Sequence, residues 1–209
     1  DPVRITGGLF QGSGSGPTAV NVVLPIDELT VTGTTFTGWK DGAIRAGSVT
    51  TLTLQDAVFF DNQTSGSGGA LISSGTTDLT IAGSWFCDNR ADNFGGALSL
   101  GTCLGACTVT DSVFQENRGE NSGGAVESLG ALSVDHSTFR ANESGAAGSA
   151  IHGGAVSMQT SIVVEHRGAN NALTFTPVLF DLNGLGDNEV GDASFPITGD
   201  NQVDLTVLF

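Results

Sequence analysis

A Phe and an Asn three residues apart, followed six residues later by Gly-Gly-Ala or Gly-Ser-Ala, recur four times along this chain of 209 residues. The copies are Phe59-Asn62-Gly68-Gly69-Ala70, Phe86-Asn89-Gly95-Gly96-Ala97, Phe114-Asn117-Gly123-Gly124-Ala125 and Phe139-Asn142-Gly148-Ser149-Ala150. Successive Phe residues lie 25 to 28 positions apart, while the distance from Phe to the first Gly is constant. Length variation is therefore confined to one connection, as in a solenoid whose coils stack in register and whose insertions leave from a single corner.

Within each copy the apolar residues alternate with period two, the pattern of a strand and not of a helix. Leu52 and Leu54, Leu79 and Ile81, Cys107 and Val109, and Leu132 and Val134 precede the four Phe residues at matching offsets. Another apolar column, Ile44, Leu71, Leu98, Val126 and Ile151, follows the glycines. Three short strands per coil predict an all-β fold, a right-handed parallel β-helix of about six to eight coils. Composition agrees: 31 Gly and no Tyr suit short strands joined by turns. Phe59, Phe86, Phe114 and Phe139 should fill the core. Asn62, Asn89, Asn117 and Asn142 should form an amide ladder at a turn. The small column Ala57, Ser84, Ser112 and Ser137 should leave room for the Phe rings.

Degenerate copies extend the pattern, at Phe36 before Asp41-Gly42-Ala43 and in "GGAVSMQTSIVV" over 153–164. The domain reading is repeats over 1–164, with the best copies in 52–152, and a non-repetitive C-terminal capping or assembly segment over 165–209. That segment still holds apolar runs such as "ALTFTPVLF" and "VDLTVLF". A solenoid end must be covered, because its last coil exposes unpaired strand and apolar side chains.

The repeated FxxN and GGA[ILV] motifs resemble those of the polymorphic outer-membrane proteins, the autotransporter adhesins of chlamydiae, and related bacterial and eukaryotic surface proteins. The resemblance covers residues 29–164. It implies a right-handed parallel β-helix in a surface-exposed or secreted, often adhesive, setting. The outer-membrane barrel of such autotransporters has no counterpart here.

Charge narrows the partners. Seven Lys and Arg against 22 Asp and Glu give a net charge of −15, which repels a nucleic-acid backbone. No run approaches the ~20 apolar residues of a membrane span, and the start has no signal-peptide pattern, so the sequence reads as a soluble chain. Asp61, Asp88 and Glu116, each two residues after a repeat Phe, should stack on one edge. With Asp92 and Glu120 nearby they offer oxygen ligands of the kind calcium takes, the one cofactor the sequence suggests. Arg90 and Arg118 follow ladder asparagines and should neutralise that edge. Cys103 and Cys107 bracket an insertion and are placed for a local disulfide, which leaves Cys87 odd.

Two functions remain open. The first is a non-catalytic extracellular or cell-surface structural or adhesive module, engaging other protein subunits, a surface receptor or a glycan, with self-assembly through its coil ends. The alternative is a carbohydrate-active β-helix, a polysaccharide lyase, hydrolase or sugar-binding relative. Its candidate groups are Asp56, Asp111 and His136, three residues before Phe, with Asp135 beside them and Glu127 and His152 on another column. Lys40 is the sole lysine, and the tryptophans are Trp39 and Trp85, so no catalytic residue is assigned. The triplets at Asn62 and Asn142 match the glycosylation pattern, but ladder asparagines should stay unmodified.

Overall fold

The computed structural model describes residues 1–13, 16–164, 167–168, 173–175, 178–180 and 189–191. They form a parallel β-solenoid of about six turns, with no helix. One coil shows the plan. Asp78–Ala82 is a long strand, Trp85–Cys87 carries the repeat Phe, Arg90–Ala91 is a two-residue strand, and Leu98–Leu100 follows the Gly-Gly-Ala. Each strand pairs in parallel with its equivalents in adjacent coils, giving a long-strand sheet and a Phe sheet of eight strands each, a short sheet of five and a glycine-following sheet of seven. The coil thus has four strands and not the three expected from hydrophobic alternation. The extra strand, Gln63–Thr64 and its equivalents, is too short to show periodicity.

Three corners of the coil hold a residue at positive φ, and the residue types follow from that. Between the long-strand and Phe sheets stand Gly33, Asp56, Gly83, Asp111, His136 and Thr160; after the Phe strand stand Gly38, Asp61, Asp88, Glu116 and Ala141. Only Gly adopts this conformation freely, and Asp, Asn and His tolerate it better than most. At the third corner the first glycine of the motif is required: Gly95 has φ 61°, and a Cβ there would run into the Leu98 carbonyl oxygen. Gly96 is required for a different reason, because a side chain would strike Gly124 O in the next coil. The fourth corner, between the glycine-following and long-strand sheets, has loops of unequal length, such as 74–77 and 101–106. That is where the spacing between copies varies.

Stacking in register puts identical groups on top of one another inside the coil. Six phenylalanines, from Phe10 to Phe139, form a continuous stack with ring centroids 4.7 to 5.1 Å apart, and from Phe36 onward adjacent planes lie within 8°. The separation is that of neighbouring strands, so the backbone ladder sets the ring spacing. The rings from Phe36 to Phe139 have no exposed surface, and burying each contributes about 1.5–3 kcal/mol. Leu52, Leu54, Leu79, Ile81, Val109, Leu71, Leu98 and Val126 pack around them.

Two polar ladders run beside the rings. Asn62 Nδ2 donates to Asn89 Oδ1, Asn89 to Asn117 and Asn117 to Asn142, each at 3.0 Å. The same Oδ1 atoms accept the backbone N–H of the preceding coil's asparagine, at 2.9 to 3.2 Å. Each Nδ2 also reaches back to a Phe carbonyl, as Asn89 does to Phe59 O at 2.9 Å. An amide has two donors and two acceptor sites, and the interior rungs Asn89 and Asn117 use them all in complete burial.

The second ladder is a finding of the structure. Ser84, Ser112, Ser137 and Ser161 each accept, through Oγ, the N–H of the equivalent residue in the preceding coil at 3.1 to 3.2 Å. Each hydroxyl donates to the carbonyl two residues before it. Their column was expected only to make space for the Phe rings; it also satisfies amides freed where the chain turns the first corner.

Beyond 164, Arg167–Gly168, Leu173–Phe175, Val178–Phe180 and Glu189–Gly191 pair in parallel with the preceding coil, one in each sheet. The rest of the 165–209 segment, including "VDLTVLF", lies outside the described residues.

Candidate functional site

With the interior filled, chemistry is left to the outward columns. The Phe sheet has the most distinctive outer face. The residues just before and after each buried Phe lie on the outer side of the sheet: Val58 and Phe60, Trp85 and Cys87, Val113 and Gln115, of which Cys87 is covered by its neighbours. Phe60 and Trp85 are 44% and 45% exposed. This strip is bounded on one side by Asp56, Gly83 and Asp111 and on the other by Asp61, Asp88 and Glu116, the positive-φ corners.

On the second corner Asp61, Asp88 and Glu116 line a shallow concavity of ≈ 300 Å³ together with Phe60, Gln63, Arg90 and Arg118. Burial, reinforced by the charges of Glu116 and Asp61, holds the Asp88 carboxyl above its ordinary range. Burial and the adjacent Asp88 push the Cys87 thiol up to about 12. Cys87 is the free cysteine and is buried, so it is a neutral and inert thiol at physiological pH.

The five carboxylates expected to gather calcium divide into two groups. Asp61, Asp88 and Glu116 stack as expected. Glu120 instead lies beyond the ladder asparagines on the short-sheet edge, where Arg118 Nε and Nη2 contact its two oxygens at 2.9 and 3.2 Å and Arg90 Nη2 lies at 2.6 Å. The Arg118 hydrogen bond holds the Glu120 carboxyl below its usual range. Asp92 is 3.7 Å from Arg90, and Glu143 is 2.8 Å from Arg118. The arginines thus neutralise Glu120, Asp92 and Glu143 and not the corner column, which corrects the expected charge pairing. The side-chain reach of an outward Arg is taken by the acid in its own sheet, two residues on or one coil away. Among the described residues no three His, Cys, Asp or Glu side chains converge to hold a metal ion.

The residues considered for sugar chemistry also have structural explanations. Asp56, Asp111 and His136 occupy positive-φ corners. His136 Nδ1 is 2.9 Å from Asp135 Oδ1 on an open surface. Gly83 interrupts the acidic column at the same positive-φ corner, where glycine meets the backbone requirement without a side chain. Glu127 and His152 meet on the glycine-following sheet: His152 Nδ1 is 2.8 Å from Glu127 Oε2, which also accepts Ser122 Oγ at 2.9 Å. Glu127 is only 7% exposed, and its hydrogen bond holds His152 above the ordinary histidine range. Ser122 and His152 both bind the carboxylate, so the cluster is a shared acceptor and not a serine activated by histidine.

Cys103 and Cys107 are joined in a disulfide with Cα atoms 6.0 Å apart. It ties the fourth-corner insertion to the start of a long strand. Asn62 and Asn142, in the glycosylation-like triplets, have no exposed surface.

Sequence reasoning missed the amphipathic outer face of the Phe sheet. Its signal was present as residues on either side of each Phe, but attention to inward positions hides it. No helix among the described residues is long and apolar enough to cross a membrane. Compared with known proteins, the chain matches no family model, no curated protein and no solved structure.

Proposed function

We propose that this chain is a non-catalytic structural or adhesive module of an extracellular or cell-surface protein, in keeping with the likeness of its repeats to polymorphic outer-membrane proteins. The observation that carries the reading is the use made of the repeated polar residues. The asparagines and serines are consumed by ladders inside the coil, and the recurring acids stand where the backbone demands positive φ. What recurs is thus what the solenoid needs to stand, and what remains is a rigid acidic surface suited to presenting contacts. The Cys103–Cys107 disulfide supports an oxidising compartment.

The test is a cleavage screen of neutral, acidic and amino polysaccharides alongside adhesion of protein-coated beads to cells and matrix. Adhesion without turnover is expected. Sustained cleavage that disappears on replacing Asp111, Asp135 or His136 would overturn the reading in favour of the carbohydrate-active alternative.

A further inference from the structure

The outer face of the Phe sheet combines two features that rarely stay uncovered together. Its centre is apolar: Val58, Trp85 and Val113 stack in one outward column and Phe60 stands in the column beside it, diagonal to Trp85, with the two aromatic rings nearly half exposed. An aromatic patch held on a rigid sheet has the character of a binding hot spot. Its two borders are acidic: Asp56 and Asp111 on one, Asp61, Asp88 and Glu116 on the other.

Not one of these five carboxylates makes an ion pair among the described residues. Asp61 accepts only Gln63, Asp88 only Cys87 and Glu116 only Gln115 among side chains. The neighbouring short-sheet edge behaves in the opposite way, since every acid there is met by Arg90 or Arg118. The chain has compensated one acidic edge and left its neighbour charged.

We infer that the outer face of the Phe sheet, from Val58 to Val113, docks a basic polypeptide segment of a partner protein, with apolar side chains over Trp85 and Phe60 and Lys or Arg side chains against the two acidic columns. The inference rests on the module reading above and supplies its partner class. Charge complementarity selects this occupant. A second copy of this chain would bring like-charged columns together, and like charges across an interface disfavour pairing. A polyamine would answer the carboxylates but leave the rings bare, and a neutral glycan would do the reverse. A polypeptide lying along the solenoid axis does both, because its alternating side chains reach down to the strip and out to the borders. The strip is one three-residue strand wide, about 10 Å, which suits a single extended chain.

The experiment measures fluorescence anisotropy of a dye-labelled peptide of alternating lysine and leucine titrated with the intact protein. Its controls are an alternating glutamate and leucine peptide and polylysine. The variants are Trp85→Ser, the triple variant Asp61→Asn, Asp88→Asn and Glu116→Gln, and a charge-matched control, Asp27→Asn, Asp41→Asn and Asp92→Asn. Asn and Gln at the corner keep the shape and the backbone preference, and circular dichroism checks the fold of each.

Saturable binding of the lysine-leucine peptide is expected, weakened about tenfold or more by either site variant, little changed in the charge-matched control, and falling with salt. Equal losses in the two triple variants, indifference to Trp85→Ser, or polylysine binding as tightly as the mixed peptide would each overturn the docking face. Failure of all the peptides to bind would also overturn it. The non-catalytic reading would then still stand or fall separately, on the polysaccharide screen.

Discussion

Ala57 is where the hydroxyl ladder stops at its N-terminal end, and replacing it with Ser should stabilise the protein. In the coils that follow, Ser84, Ser112, Ser137 and Ser161 each accept an amide from the coil before. Thr34 stands one coil before Ala57 and is buried, but the Ala57 side chain has no oxygen to accept its N–H. A hydroxyl at position 57 in the rotamer of its neighbours would accept that amide and donate to Gln55 O, as Ser84 donates to Ala82 O at 3.0 Å. Gln55 O already accepts Gly33 N, but a carbonyl has a second lone pair, and Ala82 O carries the same double load from Asp56 N and Ser84 Oγ.

The gain is one net hydrogen bond plus relief of a buried donor, about 1 kcal/mol and up to ~2. In a chain of this size that is a rise of about 2–4 °C in Tm. Urea unfolding followed by circular dichroism, with linear extrapolation, gives the free energy. Ser84→Ala is the matching loss, expected to cost about 1–3 kcal/mol because it orphans the Ala57 amide. If Ala57→Ser folds but is neutral or less stable, the hydroxyl column only occupies space and the ladder argument fails.

Other outcomes follow from the same geometry. Asn89→Ala strands two amide donors and the acceptors that Asn89 now serves, in complete burial, and should cost at least ~3 kcal/mol; expression in a glycosylating host, read by mass spectrometry, should leave Asn62 and Asn142 unmodified. Asp88 has a carboxyl pKa raised on folding, so its ionisation weakens the fold: its contribution is most favourable below the unfolded pKa and is lost as pH rises through the folded one. Asp88→Asn should therefore stabilise at neutral pH, with the difference shrinking as acid protonates Asp88 in both states. His152 is also raised, so the Glu127 contact stabilises fully below the ordinary histidine pKa and fades as pH rises through the shifted value; Glu127→Gln should bring the His152 titration, followed by NMR, back down.

The sequence alone determined which residues turn inward and how coils register. Strand periodicity and a fixed offset from Phe to glycine leave one way to bury Phe59, Phe86, Phe114 and Phe139 together, and identical residues in register must then stack. The amide ladder was legible for the same reason, because a buried Asn can be satisfied by its own copies. The tertiary structure decided where the outward side chains reach. Glu120 is only four residues from Glu116 in sequence, yet Glu120 lies under two guanidinium groups while Glu116 accepts only the neutral side chain of Gln115. Inward positions obey a period that a single strand displays, whereas outward contacts depend on which corner intervenes and on neighbours a full coil away. A positive-φ corner also selects Asp for its backbone before any ligand does, so an acidic column reads alike whether it serves the turn or a partner.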